Sequence, residues 1–370
     1  MVKTSLNQNV KKDVFMNIQN ETKNSSNNNV QSLSPWFNIT CMCITTCILG
    51  LIFYSPFVYF KSKDTMPGLA VPTAQQLKDF SLTQTNVEVG LYIWDIQELD
   101  MPKSSLILDA TVWFIFDPRI ISLDRIGKFT FEKSDIKKKS EPDTRLLKNY
   151  KLFASYDVHV HFTLLFNFQD FPFDDHRISL DLTNRFISAH EAVFTSSRSN
   201  LSMSAEVQTD EWKYVDQEVF TGFSKDIVNK EDAETTIYEP HVIFSLDYQR
   251  AGFRYIISII LPILMIFFIT LFSFSFDPKS DRRYDVTSLL ISLIMALLAY
   301  RFVIENLSPR VGYSIITDYV FIFFTIAVTI VFIANMFFST ISLRKKKILI
   351  VSLHLATILL FLFLLPPWEY

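Results

Sequence analysis

The segment Arg250 to Tyr313 constrains this chain most, because an apolar run, a short charged turn and a second, more mixed run follow one another without a spacer. Tyr255 to Phe276 carries no charge. At about 1.5 Å of rise per residue, a helix of that length crosses a hydrocarbon layer of about 30 Å. Pro262 fits such a helix if a neighbour satisfies the carbonyl that proline leaves without a donor. The turn Asp277 to Asp285 holds three cations and three carboxylates. In the second run, Val286 to Asn306, the residues Ser288, Ser292, Met295, Ala299, Val303 and Asn306 recur every three or four positions and share one helical face. Asp285 precedes this stripe and Glu305 stands beside its end. The opposite face, Leu289, Leu290, Leu293, Leu297 and Tyr300, is bulky and apolar. Read alone, the stripe fits serines bonded to carbonyls one turn back inside a bundle better than it fits a face turned to water.

Its surroundings favour the second reading. Arg250 stands ahead of Pro262 in RAGFRYIISIILP; NLSPRVGYSIITDY (306 to 319), with Pro309 and Tyr313, follows the second run; and FPFDDHRISLDL (171 to 182) lies upstream. In these three motifs and their order the chain resembles the pentameric ligand-gated ion channels, the superfamily of the Cys-loop receptors. The resemblance covers Val87 to Tyr370 and is weak between Gly127 and Tyr150. It implies a homo-pentamer with the helix 286–306 lining a pore, a stripe from Asp285 to Glu305 and Asn306 facing permeant ions, and an extracellular β-sandwich that binds agonist between neighbouring subunits.

Composition agrees with a membrane receptor: the 370 residues are 49% hydrophobic and 15% aromatic with 36 Phe, more than a soluble enzyme of this length carries. The net charge of -3 says little about partners, and nothing points to nucleic acid. Cys41, Cys43 and Cys47 all fall in the first apolar stretch, which leaves the soluble part without a disulfide of its own. No zinc spacing, glycine-rich phosphate loop or G-x-S-x-G elbow occurs, so neither a cofactor nor an enzymatic activity is expected.

Residues 1 to 35, rich in Asn, Ser and Lys, are too polar to build a core and read as disordered. Trp36 to Phe60 is long enough to span, with Trp36, Tyr54 and Tyr59 as interfacial anchors. A cleaved signal peptide competes with this signal-anchor, but no small-x-small site follows it. The basic loops 279–283 and 344–347 belong in the cytoplasm by the positive-inside rule. The expected protein is therefore multi-pass in a cell membrane, with 61–254 outside, the C-terminus outside, and the N-terminus inside if the anchor is kept.

The outer part reads as strands: 87–99, 106–117, 156–168, 177–182, 211–223 and 241–249 each show partial period-two alternation, with turn residues between them. Many short strands without helical periodicity argue a β-sandwich. The expected fold class is thus an α+β membrane protein: an immunoglobulin-like sandwich, a four-helix bundle over 255–370 whose third and fourth spans are 319–343 and 348–368, and the extra N-terminal span. Phe171, Pro172, Phe173 and Asp174 cannot continue a central strand and form an apolar turn. The resemblance implies that Asp174 is buried, that Arg250 is its partner, and that these residues with Pro309 couple the sandwich to the pore. Most animal members close this loop with two cysteines; Leu164 and Ile178 stand there, and the long cytoplasmic insertion before the last span is absent, as in bacterial-type channels.

The agonist is not legible. A cage for a cationic amine needs several ring faces around one point, and Trp113, Phe223 and Tyr238 are candidates that serve equally well as core. Protons are an alternative stimulus, with His159, His161, His176, His190 and His241 in a useful range. His354, within the last span, reads as a neutral histidine bonded inside the bundle. A non-conducting receptor of the same fold would need a blocked stripe, which Ser288, Ser292 and Ala299 argue against.

Overall fold

The computed structural model describes residues 33–70, 84–207, 209, 211–227, 236–251, 253–276, 283–337 and 342–366. Most of the expected disordered lead, the whole stretch 277–282 with Arg282, and Trp368 lie outside them. The described chain divides into a helical unit (33–53, 256–307 and 317–366) and a β-rich unit (54–255 and 308–316).

The β-rich unit is a two-sheet sandwich. Its strands are β1 (Thr85–Asp100), β2 (Ser105–Phe116), β3 (Thr130–Phe131), β4 (Ser134–Lys139), β5 (Asp143–Leu146), β6 (Leu152–Thr163), β7 (His176–Thr183), β8 (Ala192–Thr195), β9 (Leu201–Met203), β10 (Trp212–Ile227) and β11 (Thr236–Arg250). One sheet has the order β4-β6-β2-β1-β8, with β5 on β6 and β9 on β1; the other has the order β10-β11-β7-β3. Alternation decides which face is inside. In β2 the set Leu106, Leu108, Ala110, Val112, Phe114 and Phe116 is buried while the residues between are partly open. β11 differs: Val242, Phe244, Leu246 and Tyr248 are buried, and so are Ile243, Ser245, Asp247 and Gln249 between them, so this strand is covered on both faces. Aromatic rings fill the gap, with Phe114 5.2 Å from Phe129 and 6.2 Å from Phe194. Gly90 is required by one close approach: a Cβ there would lie 2.2 Å from the Trp113 ring on the paired strand.

β6 stops at Thr163, short of the expected 168. Leu164 N–H still reaches a backbone carbonyl, that of Ser104 (2.9 Å), but farther on the donors turn to side chains: Asn167 N–H goes to Asp64 Oδ1 (2.6 Å) and Phe168 N–H to the Tyr313 hydroxyl (2.8 Å). A strap, 61–70, also runs over this unit. It bridges to Asp175 through Ser62 and to Phe223 through Ala70, whose N–H donates to the Phe223 carbonyl at 2.7 Å.

Among the described residues five helices are long and apolar enough to cross a membrane, and nearly all of their length lies in the helical unit. We label them α1 (Pro35–Val58), α2 (Leu261–Phe272), α3 (Arg283–Leu307), α4 (Ile316–Phe337) and α5 (Leu343–Leu364). A π-helical turn, Ile256–Ile260, leads into α2 and belongs with it to the span Ile256–Ser275. Pro262 has no N–H for the carbonyl four residues back, that of Ser258, and the Tyr300 hydroxyl of α3 donates to that oxygen. The proline is thus tolerated in the way the sequence requires. α1 is built into the same unit: Thr45 Oγ1 lies 2.8 Å from His354 Nδ1, Asn38 Nδ2 donates to Ser275 Oγ at 2.9 Å, and the Phe53 and Phe361 rings meet edge-on at 5.0 Å. His354 is buried beside Phe267 and Phe268, as a histidine bonded inside the bundle should be.

Candidate functional site

Turn chemistry and strand ends converge on a buried charge cluster. After the cis Phe171–Pro172 peptide, the loop turns Asp174 inward at 2% exposure. Arg250, the last residue of β11 and 5% exposed, meets it as a fork: Nε to Oδ1 and Nη2 to Oδ2, both 2.9 Å. Such bidentate pairs are the strong, geometrically specific kind. The guanidinium lies over Trp212 (4.3 Å), Tyr255 (4.8 Å) and Phe171 (5.2 Å), which shield it from water. His176 opens β7 and places Nε2 2.8 Å from Asp174 Oδ2 and Nδ1 2.9 Å from Asp64 Oδ2. Asp175 accepts the backbone N–H groups of Lys61 (2.9 Å) and Arg250 (3.3 Å). The loop 308–316 belongs to this unit and ties to the same turn, Ile316 N–H donating to the Gln169 carbonyl at 3.1 Å; Pro309 within it is buried. Phe171 and Phe173 are buried, Phe171 against Tyr255 and Phe173 near Phe57. Leu164 and Ile178 are buried too.

Burial works against every charge here, and the neighbours decide the outcome. For Asp174 burial opposes ionisation, but the Arg250 charge and the His176 hydrogen bond hold its carboxyl below the usual range. For His176 burial opposes the cation, yet hydrogen bonds to Asp174 and Asp64 lift it to about 9. Asp175 is pushed up to about 7, first by burial, with its two backbone donors only partly offsetting it. Asp181, elsewhere on β7, is pushed up to about 7 by burial and then by Glu132.

These shifts have a sign. Asp175, Asp181 and His176 bind protons more tightly folded than unfolded, so they remove stability as pH rises, over about pH 4 to 7 for the carboxyls and about 6.5 to 9 for the imidazole. Asp174 acts oppositely, its stabilisation being lost only as pH falls below the carboxylate range. Lys139, pushed down to about 8 by burial, adds stability only above that pH. Thermal melts of the purified chain should therefore fall by about 5 °C or more between pH 5 and pH 8. A melting temperature that rises over that interval contradicts the assignment.

The second feature is α3, the least buried of the five apolar helices. Its buried residues are Leu290, Leu297 and Ile304, seven positions apart. At about 100° per residue the stripe is centred about 160° away from them, and Asp285, Ser288, Ser292, Met295, Ala299, Val303 and Asn306 are all exposed. Ser292 Oγ donates to the Ser288 carbonyl at 2.9 Å, the bond one turn back that serines make in such helices. Glu305 lies about 120° round from the stripe. It accepts from Arg301 Nε at 3.1 Å, while Arg301 Nη1 reaches Asp318 of α4 at 2.7 Å.

The aromatic candidates do not form one cage. Trp113 lies on β2 over Gly90, stacked with Phe153 at 6.2 Å. Phe223 and Tyr238 belong to the other sheet, where Phe223 packs with Ala189, Val193 and Tyr238. Of the histidines, His159 pairs with Asp109 (2.7 Å) and His161 with Ser105 (3.2 Å). Among the described residues neither ring nitrogen of the buried His241 has a hydrogen-bond partner, and Glu132 lies 4.0 Å away. His176 stands apart because two carboxylates grip it. Sequence reasoning named it only as one histidine among five, and it missed Asp64 and Asp175 altogether. The doubled aspartate in FPFDDH was the one local signal.

No protein-family model matches this chain, and no curated protein matches it.

Proposed function

We propose that the chain is the subunit of a pentameric, ligand- or proton-gated ion channel that prefers cations, with α3 lining the pore and the sandwich, immunoglobulin-like in arrangement, outside the membrane. The observation that carries this reading is the face α3 leaves open. A membrane-spanning helix that packs through Leu290, Leu297 and Ile304 and presents Asp285, two serines and Asn306 on the other side offers lipid a polar surface. Hydrocarbon disfavours such groups, and intramembrane polar stripes face water or partner helices instead. Five copies closed around an axis turn that stripe into a wetted lumen and bury its flanks against one another. The motifs that resemble the channel family support it further: the loop 308–316, the FPFD turn and Arg250 lie in one unit and share hydrogen bonds and ring contacts.

Purified chain in planar bilayers, challenged across pH and with a panel of small amines and amino acids, should carry gated current. A folded, pentameric preparation that passes none under any condition overturns the reading. Selectivity follows from Asp285, whose exposed carboxylate in five copies concentrates counter-ions at one mouth. Asp285→Ala should move the reversal potential under a salt gradient toward anion permeability; an unmoved potential removes Asp285 from the filter.

A further inference from the structure

The cluster around Asp174 contains one member that comes from neither the sheets nor the loops of the sandwich. Asp64 lies on the strap that follows α1, and its side chain is 3% exposed. Oδ1 accepts the Asn167 N–H at 2.6 Å; Oδ2 accepts His176 Nδ1 at 2.9 Å, Arg177 N–H at 2.9 Å and Ser62 Oγ at 3.1 Å. The strap around it is fastened at further points. Gln249 Nε2 donates to the carbonyls of Pro56 (3.2 Å) and Tyr59 (3.4 Å), Lys61 N–H donates to Asp175, and Lys63 Nζ meets Asp170 at 2.7 Å.

His176 is the link. Its two ring nitrogens each face a carboxylate oxygen, and only the imidazolium can donate from both at once. A neutral ring would turn a bare nitrogen lone pair toward one of these buried carboxylate oxygens, losing one hydrogen bond and setting two acceptors against each other. The charged and titratable groups facing the ring are Asp64 from the strap, Asp174 and Asp175 from the loop, and Arg250 from β11 through Asp174. The remaining walls, Phe166, Phe168 and Trp212, are rings at 4.8 to 5.1 Å that offer no countercharge.

We propose that Asp64 is a positioning residue for the Asp174–Arg250 pair, acting through His176, so that the segment leading out of α1 is a working part of the gating apparatus and not only an anchor. Asp64 keeps the imidazolium in place; the imidazolium fixes the second oxygen of Asp174; and that oxygen sets the fork that receives Arg250. The gating half of this inference rests on the channel reading above, whereas the link to His176 stands on the geometry alone.

The test uses the full chain in lipid, labelled with ¹⁵N-histidine, with the His176 signal assigned by its loss in His176→Gln. In the native chain His176 should be an imidazolium at pH 8. In Asp64→Asn its titration midpoint should fall by at least about one unit, a tenfold loss of proton affinity, and Asp64→Glu should restore part of that loss. A native His176 that is neutral at pH 8 overturns the proposal, even if Asp64→Asn proves unable to fold. An unchanged midpoint in folded Asp64→Asn also overturns it. In bilayers, Asp64→Asn should shift the stimulus needed for half-maximal opening by about tenfold and alter its pH profile, again with partial rescue by Asp64→Glu. A shifted midpoint with unaltered opening removes Asp64 from gating. If the native chain passes no current, the channel reading fails, and the His176 titration still decides whether Asp64 positions the pair.

Discussion

Asp174→Asn should abolish assembly or opening, and it should be more damaging than Arg250→Gln. The first substitution leaves two buried cations, Arg250 and His176, around a neutral amide. The second leaves Asp174 still paired with His176. Breaking a buried pair from one side costs about 3 to 5 kcal/mol, against a total stability of about 5 to 15 kcal/mol for a folded domain. The same energy moves a two-state equilibrium by more than a hundredfold, so a channel that still assembles would have its opening displaced beyond ordinary stimuli. Size-exclusion of the pentamer and surface expression have to accompany the current, because lost folding imitates lost gating. The charge exchange, Asp174→Arg with Arg250→Asp, is a natural rescue for an isolated pair. Here it sets the introduced guanidinium against the His176 imidazolium, so it should recover little, and adding His176→Gln to the exchange should help. If Asp174→Asn assembles and opens as the native chain does, the cluster is not the coupling element.

The long strands were legible because burial on one face writes a period of two into the residues, as in β2 and β6; β11 is buried on both faces, and its period shows only because Ser245, Asp247 and Gln249 alternate with its apolar residues. β4 and β5 were not. β5 is exposed at all four positions and β4 at most of its length, so neither carries an alternation that sequence can show. β3, β8 and β9 are two to four residues long and are held by their partners in the sheet. The helices were visible as apolar runs, but their ends were not. α3 begins at Arg283 and α5 includes the basic residues 344–347, because backbone hydrogen bonds continue through charges that an apolar-run reading treats as a stop. Within the cluster, Asp174 and Arg250 were legible only through motifs. His176 could not be singled out, since the carboxylate that distinguishes it lies 112 residues away in the chain. The strap that carries that carboxylate has no periodicity of its own.

Met295→Ser should leave the channel conducting without stimulus. Met295 is 61% exposed and sits on α3 between the serines and Ala299, on the face opposite Leu290, Leu297 and Ile304. In the proposed pentamer, five thioether side chains at one level would form an apolar ring, and such a constriction stops ions by shedding its water rather than by filling the lumen. A hydroxyl at each position gives water partners to hold and makes the ring wider, so the dry state loses its advantage. Because the side chain lies away from the packed face, the exchange hollows no core, and its helix-propensity penalty is about 0.5 kcal/mol per subunit. Folding should therefore survive, while resting current rises by at least about tenfold, equivalent to about 1.4 kcal/mol between closed and open states. Leu297→Ser is the contrasting variant: two residues away but buried, it should destabilise the unit by about 2 to 5 kcal/mol instead of opening the pore. A Met295→Ser channel that assembles and stays closed at rest moves the barrier to the level of Ala299 or Val303. Resting current of native size in Met295→Ser, Ala299→Ser and Val303→Ser together would mean that this stripe holds no gate at all.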